Sequence, residues 1–348
     1  CEGYGVVTAH DGASCMHAAT DFDPAMTATD GRPACISDDN LYHPFDVNVS
    51  SNLRTIAFVG FYYALLAGEW IFVPTSAPYV APLVVLTCVV AWLCAVITHN
   101  TLHSPVFTKR WANKLMQLAL SCAYGFPVSE YVPGHNLSHH KHTQKRADLM
   151  RTSKAPFRLN ILHVFYFFPR VAADIFFQNY RYVAVMKEQL PRWHHQLLLE
   201  IAFVWGSKLA LLVLDWRKAL LFVVVPHLFA VWGITSVNFV QHDGCDEDHP
   251  YNHSRNFVGR IFNWITFNNG FHGIHHDQPG LHWSLTAQAH YDRIHGHIHP
   301  ALEQKSLAIY LFRTFIYPGQ RLRYDGKPVL LPVEGPDEEW IPKSIATA

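Results

Sequence analysis

The sequence predicts an all-α integral membrane protein in which four transmembrane helices form two hairpins. Half of the 348 residues are hydrophobic and only 16% are charged, whereas about a quarter is usual for soluble chains. Four apolar stretches approach the roughly 20 residues that span a bilayer core. The chain also carries 24 histidines, concentrated after residue 98.

The four predicted spans come in two pairs. They cover Ile56–Val73, Tyr79–Thr98, Leu197–Leu214 and Ala219–Val240. The turns at Pro74–Pro78 and Asp215–Lys218 are too short for anything but a direct reversal, so each hairpin returns the chain to the side it left. We therefore expect the far ends of both hairpins to lie on one face.

Lysine and arginine indicate which face this is. The loop 100–196 contains 13 of them and the chain after His242 contains 9, whereas the two turns hold only Arg217 and Lys218. By the positive-inside rule the loop and the tail are cytoplasmic. Apolar segments at 115–123 and 161–177 are interrupted and predict helices in the interface, which form a helical cap on the cytoplasmic side.

This pattern divides the chain into a polar extramembrane segment 1–51, a membrane domain 52–300 and a cytoplasmic tail 301–348. The formal net charge is zero, which indicates neither a nucleic-acid partner nor a polybasic lipid anchor. The seven cysteines form no CxxC pair and are expected to be free thiols. The first fifty residues lack the pattern of a signal peptide.

Histidines recur at helical spacing directly after the second and fourth spans. HNTLH places His99 and His103 on one face if the helix continues. In GHNLSHHKH, His135 and His139 have the same spacing, and His140 turns towards a second direction. NFVQH ends in His242 and NNGFHGIHH adds three more, His272, His275 and His276. Nine histidines meet one face, which favours a metal site over packing.

The number of ligands favours two metals. Zinc sites need three or four ligands, whereas nine nitrogens serve two ions at four or five each. Imidazole suits zinc, copper, iron and nickel alike. The clusters contain no repeated ExxH pattern of a carboxylate di-iron bundle and no HExxH, and haem needs only one or two axial ligands. Other histidines, among them His290 and His295, lack a doubled partner, which favours solvated or supporting roles.

The motifs HNTLH, HNLSHH and HGIHH resemble the three histidine boxes of the membrane fatty acid desaturase and hydroxylase superfamily over roughly residues 52–299. The resemblance implies two iron ions with O2 as co-substrate. The eight implied box ligands are His99, His103, His135, His139, His140, His272, His275 and His276. His242 matches a ninth ligand of acyl-CoA desaturases, and Asn238 matches an asparagine that reaches the metal through water.

The implied activity is oxygen-dependent desaturation of a fatty acyl, lipid-like chain. Hydroxylation, carotenoid oxidation and oxidative decarboxylation to a terminal alkene are the alternatives. The second box has three residues before its doubled histidine where many desaturases have two, and a non-enzymatic metal-binding or transport role also stays open. Without the HPGG motif of a fused cytochrome b5, electrons should come from a separate ferredoxin, rubredoxin or cytochrome b5 with its reductase. A bacterial inner membrane and the endoplasmic reticulum both fit.

Two further sets of residues follow from this chemistry. Metal-bound histidines usually donate their second ring proton to a carboxylate or carbonyl, and the expected carboxylates are Asp148, Asp243 and Asp277. An acyl tail would be bound by apolar area, in a tunnel lined by aromatic residues near the boxes. The tunnel candidates are Trp92, Tyr124, Phe126, Phe239, Phe267, Phe271 and Trp283.

Overall fold

The computed structural model describes residues 49–155, 162–330 and 335–343. The predicted segment 1–51 and the cysteines within it lie almost entirely outside these residues. The first six helices are α1 (Val49–Phe72), α2 (Val80–His103), α3 (Arg110–Tyr124), α4 (Val128–Val132), α5 (Leu162–Met186) and α6 (Pro191–Leu214). Next come α7 (Trp216–His242), α8 (Arg260–Ile265), α9 (His272–Asp277), α10 (Thr286–Arg293) and α11 (Leu307–Leu311). Strands β1 (Asn256–Phe257) and β2 (Glu303–Gln304) pair in parallel.

The prediction of four apolar helices is confirmed. Among the described residues, α1, α2, α6 and α7 are long and apolar enough to cross a membrane. Each is longer than its apolar stretch, because the helix continues past the hydrophobic residues into polar sequence. In particular, α2 continues to His103 and α7 to His242. The histidines that follow the second and fourth spans are therefore helical.

The centre of the bundle is the pairing of α2 with α7. Small residues allow the two helices to approach: Ala91 and Ala95 of α2 and Ala230 of α7 are fully buried. A Cβ on Gly233 would lie 2.7 Å from Cδ1 of Trp92, so a larger residue here would have to displace the indole ring. The close pairing brings the ends of α2 and α7, which carry the first histidines and His242, to the same place.

Helices α3 and α5 correspond to the two interrupted apolar segments of the loop, and both are longer than those segments. The C-terminal residues 335–343 pack back on this region, where Trp340 stacks on Tyr182 with ring centroids 6.0 Å apart. Lys154 is buried and bridges Asp174 of α5 to Asp337. The loop after the second box is therefore fixed by both α5 and the C-terminal segment.

Candidate metal centre

The first box lies on the last turn of α2. His99 and His103 are one helical turn apart, and their ring centroids are separated by 5.7 Å. The Nε2 atom of His103 is buried and has no hydrogen-bond partner among the described residues. An unpartnered buried nitrogen is costly, which makes it a natural ligand atom for a cation.

The second box lies on a π-helical segment, Pro133–His140. In a π-helix, residues five apart lie over one another, so Nε2 of His135 is 3.1 Å from Nε2 of His140. His139 points into a different group of histidines. His135 and His139, which share the four-residue spacing, therefore belong to different groups, and the second box contributes to both groups.

The third box forms the short helix α9. His272 and His276 are one turn apart, with their Nε2 atoms at 3.2 Å, whereas His275 points to the other group, 3.0 Å from Nε2 of His140. The side chain of Asn256 in β1 accepts a hydrogen bond from the backbone of Gly273 at 2.8 Å. Strand β1 thus holds the start of the box in place.

The predicted nine histidines converge in two groups, within each of which the ligand atoms lie within 4.8 Å of one another. The first group is His99, His103, His135, His140 and His275. The second group is His139, His242, His272 and His276. Five and four ligands match the distribution expected for two metals, and every member comes from the predicted set.

The second group fits a shared cation better than a set of hydrogen bonds. The Nε2 atoms of His242, His272 and His276 are 2.9, 3.1 and 3.2 Å from one another. One N–H cannot satisfy two neighbours at once, so this triangle leaves nitrogens unpaired. Ligands at right angles around an ion with metal–nitrogen distances of about 2.1 Å are about 3.0 Å apart, which the triangle matches.

Burial keeps these imidazoles in the form that binds metal. It lowers the pKa values of the second- and third-box histidines His135, His140, His272, His275 and His276 well below the ordinary value, and the neighbouring histidines lower them further. A metal ligand must be neutral imidazole. At neutral pH, the five rings therefore have lone pairs to donate.

A model of the fatty acid desaturase family matches residues 74–305. This range contains all nine histidines and both hairpins apart from α1. The chain belongs to the fatty acid desaturase family. A comparison with curated proteins gives no match. The members of this family are oxidoreductases of the desaturase and hydroxylase type. The match agrees with the resemblance drawn from the three boxes.

Asp148 is the carboxylate that this desaturase-family protein places beside a box histidine. Its Oδ2 atom accepts a hydrogen bond from Nδ1 of His139 at 2.9 Å and from the backbone of Gln144 at 2.8 Å. Burial opposes ionisation of Asp148, but His139 and the hydrogen bonds outweigh it and lower the pKa of the carboxyl group. The proton on Nδ1 leaves Nε2 of His139 free to bind a metal.

The other two predicted carboxylates have different partners. Asp243 forms a buried ion pair with Arg321 and so contacts the C-terminal region. The partner of His242 is instead the backbone carbonyl of His253, 3.1 Å from Nδ1 of His242. Asp277 lies near His253. Burial lowers the pKa of His253, and the negative charge of Asp277 partly offsets this effect. Neither carboxylate has a hydrogen bond to a box histidine among the described residues.

Asn238 lies one turn before His242 on α7. It is buried, and its Nδ2 atom has no hydrogen-bond partner among the described residues. A side chain in this position can hold a water molecule between itself and the second group. The water-mediated role implied by the resemblance stays a prediction.

The structure brings two of the seven tunnel candidates next to histidines of the first group. Phe267 and Trp283 line a cavity of about 20 Å³ together with His103 and His275. Trp92, Tyr124 and Phe126 share a separate core cluster around α2. Phe239 and Phe271 lie in two further clusters.

Two contributors to the site were not predicted. Asn256 supports the third box. The glycine in HGIHH is the one residue of the motif that hints at this contact, because a Cβ on Gly273 would lie 3.3 Å from the Asn256 amide. Arg321 reaches Asp243 from 78 residues away and also donates to the carbonyl of Ala155. Nothing in the sequence marks that contact.

Proposed function

We propose that this protein uses O2 to desaturate a fatty acyl chain at two histidine-bound irons. The observation that supports the proposal most directly is the division of nine buried or partly buried histidines into groups of five and four within a fatty acid desaturase family member. Three or four ligands would be enough for one zinc ion. Two adjacent all-nitrogen groups call for a pair of metals.

The residues divide the work of binding and orientation. The first group would hold one iron and the second group the other, and the bound irons supply the activation of O2 and the removal of hydrogen from an unactivated C–H bond. Asp148 fixes the ring of His139 and keeps the proton on Nδ1. Six of the nine histidines in the two groups are buried and the other three are partly buried, which limits the access of bulk water to the ligand atoms.

Membership of the fatty acid desaturase family supports a long hydrocarbon chain as the substrate. Each methylene removed from water contributes roughly 0.8 kcal/mol, and Phe267 and Trp283 offer an apolar wall beside His103 and His275. Asn238 would place a water molecule at the second group. We further propose that membrane lipids surround the bundle and that the boxes face the cytoplasm. Electrons would come from a separate ferredoxin, rubredoxin or cytochrome b5 with its reductase.

The test combines metal content with product analysis. The detergent-purified protein should contain nearly two irons per chain, and His140→Ala and His276→Ala should each lose iron, whereas the exposed control His297→Ala should not. With O2, an electron donor and a fatty acyl substrate, mass spectrometry should show an alkene with two hydrogens fewer and the carbon number unchanged. A hydroxylated chain, or a terminal alkene with one carbon fewer, would replace desaturation with that reaction. Iron-loaded protein that yields no oxidised lipid would contradict the proposal.

A further inference from the structure

A third cluster of metal-ligating side chains lies outside the nine histidines. It consists of His290 of α10, His295 in the loop that follows, and Glu303 of β2. Their donor atoms lie within 4.8 Å of one another. Nothing in the desaturase reaction requires these residues.

The chain geometry explains why the three donors converge. The backbone N–H of His295 donates to the carbonyl of His290 at 3.0 Å, a bond that spans five residues and closes the end of α10. This turn brings Nδ1 of His295 to 2.8 Å from both carboxylate oxygens of Glu303. Nε2 of His290 is 2.8 Å from the same carboxylate.

We propose that His290, His295 and Glu303 bind a zinc ion. Two imidazoles and one carboxylate form a ligand set that zinc uses in proteins, and it leaves a fourth position for water. His290 is fully buried and Glu303 nearly so, whereas the side chain of His295 is 54% exposed. The cluster therefore has two fixed ligands on the inside and one at the surface, where an ion can enter.

The position of the cluster gives the ion a structural role. Glu303 pairs in register with Asn256 of β1, and Asn256 holds the backbone of the third box at Gly273. The ring of His290 also lies 5.0 Å from that of Phe271, which directly precedes the box. An ion bound here ties the end of α10 to the strands that support the third box. This role does not depend on which reaction the two irons perform.

The test counts iron and zinc separately in the full-length, iron-loaded protein. After addition of zinc and removal of the excess, elemental analysis should give one zinc per chain beyond the iron. His295→Ala and Glu303→Gln should lose this zinc and keep the iron, whereas the matched control His297→Ala, an exposed histidine two residues away, should keep both. Zinc should also raise the melting temperature of the parent and of His297→Ala, but not that of His295→Ala.

The opposite results are equally clear. If the iron-loaded parent binds no zinc, or if either site variant keeps it, the cluster is a pair of histidine–carboxylate hydrogen bonds and the proposal is wrong. Failure of the proposed oxygenase function would appear in the iron count and in the lipid products, which are measured independently of the zinc.

Discussion

Asp148→Asn should remove metal from the second histidine group and leave the first group loaded. The carboxylate is fully buried and accepts three hydrogen bonds, from His139, from the backbone of Gln144 and from the backbone of Met150 at 2.7 Å. Asparagine keeps the size but has one acceptor oxygen. In either amide orientation, the new NH2 group faces a buried N–H.

The magnitude follows from these contacts. Loss of a residue that orients a metal ligand lowers metal affinity about 10- to 100-fold, which corresponds to about 1.4–2.8 kcal/mol at 1.4 kcal/mol per factor of ten. A buried donor left without an acceptor costs a further ~1–3 kcal/mol of folding stability. His139 belongs to the group of four, so iron should fall from two per chain towards one.

The assay is iron per chain after dialysis against a weak chelator, together with the rate of product formation. Asp277→Asn is the matched control, because that carboxylate has no hydrogen bond to a box histidine among the described residues. Equal iron content in the parent and Asp148→Asn would refute the assignment of Asp148. Equal loss in both variants would show a general effect of negative charge near the centre instead.

Three further predictions test the surroundings of the site. Arg321→Met should lower the free energy of unfolding by about 3–5 kcal/mol, because it leaves Asp243 buried and unpaired; thermal melts measure this, and the double variant with Asp243→Asn should recover part of the loss. In iron Mössbauer spectra, His135→Ala and His140→Ala should alter the signal of one iron, and His139→Ala should alter the signal of the other. If His135→Ala and His139→Ala alter the same signal, those two histidines share an iron and the grouping is wrong. The metal-free protein should lose stability as the pH falls from about 7 to 5. Histidines of the unfolded chain titrate near 6.5, whereas the second- and third-box histidines have lower pKa values in the folded protein. The unfolded chain therefore binds protons first, which favours unfolding. A flat melting temperature over that range would contradict this.

The sequence predicted those parts of the fold that depend on local composition. A run of apolar residues specifies a long buried or membrane helix whatever its neighbours are, so the four spans followed directly. The clustering of the nine histidines was also predictable, because histidines at three- and four-residue intervals have few structural explanations. Their assignment to two groups was only partly predictable, since it depends on the hydrogen-bond pattern of Pro133–His140.

Contacts between distant parts of the chain were beyond sequence reasoning. Asp243 directly follows His242 of the second group, yet its carboxylate pairs with Arg321, and this pairing depends on where the C-terminal region returns. Likewise, the seven aromatic tunnel candidates are similar in type and in distance from the boxes along the chain. Only the packing of the loops after α8 and α9 selects Phe267 and Trp283 as neighbours of the first group.

The division of the third box between the two groups determines when the centre can form. His275 completes the group of five, and His272 and His276 complete the group of four. The contact between His275 and His140 spans 135 residues, so neither group is complete until the chain has been synthesised as far as the third box. A nascent chain that carries only the first two boxes offers incomplete ligand sets. If the two groups bind metals as proposed, both ions would enter late, after the two hairpins have been made.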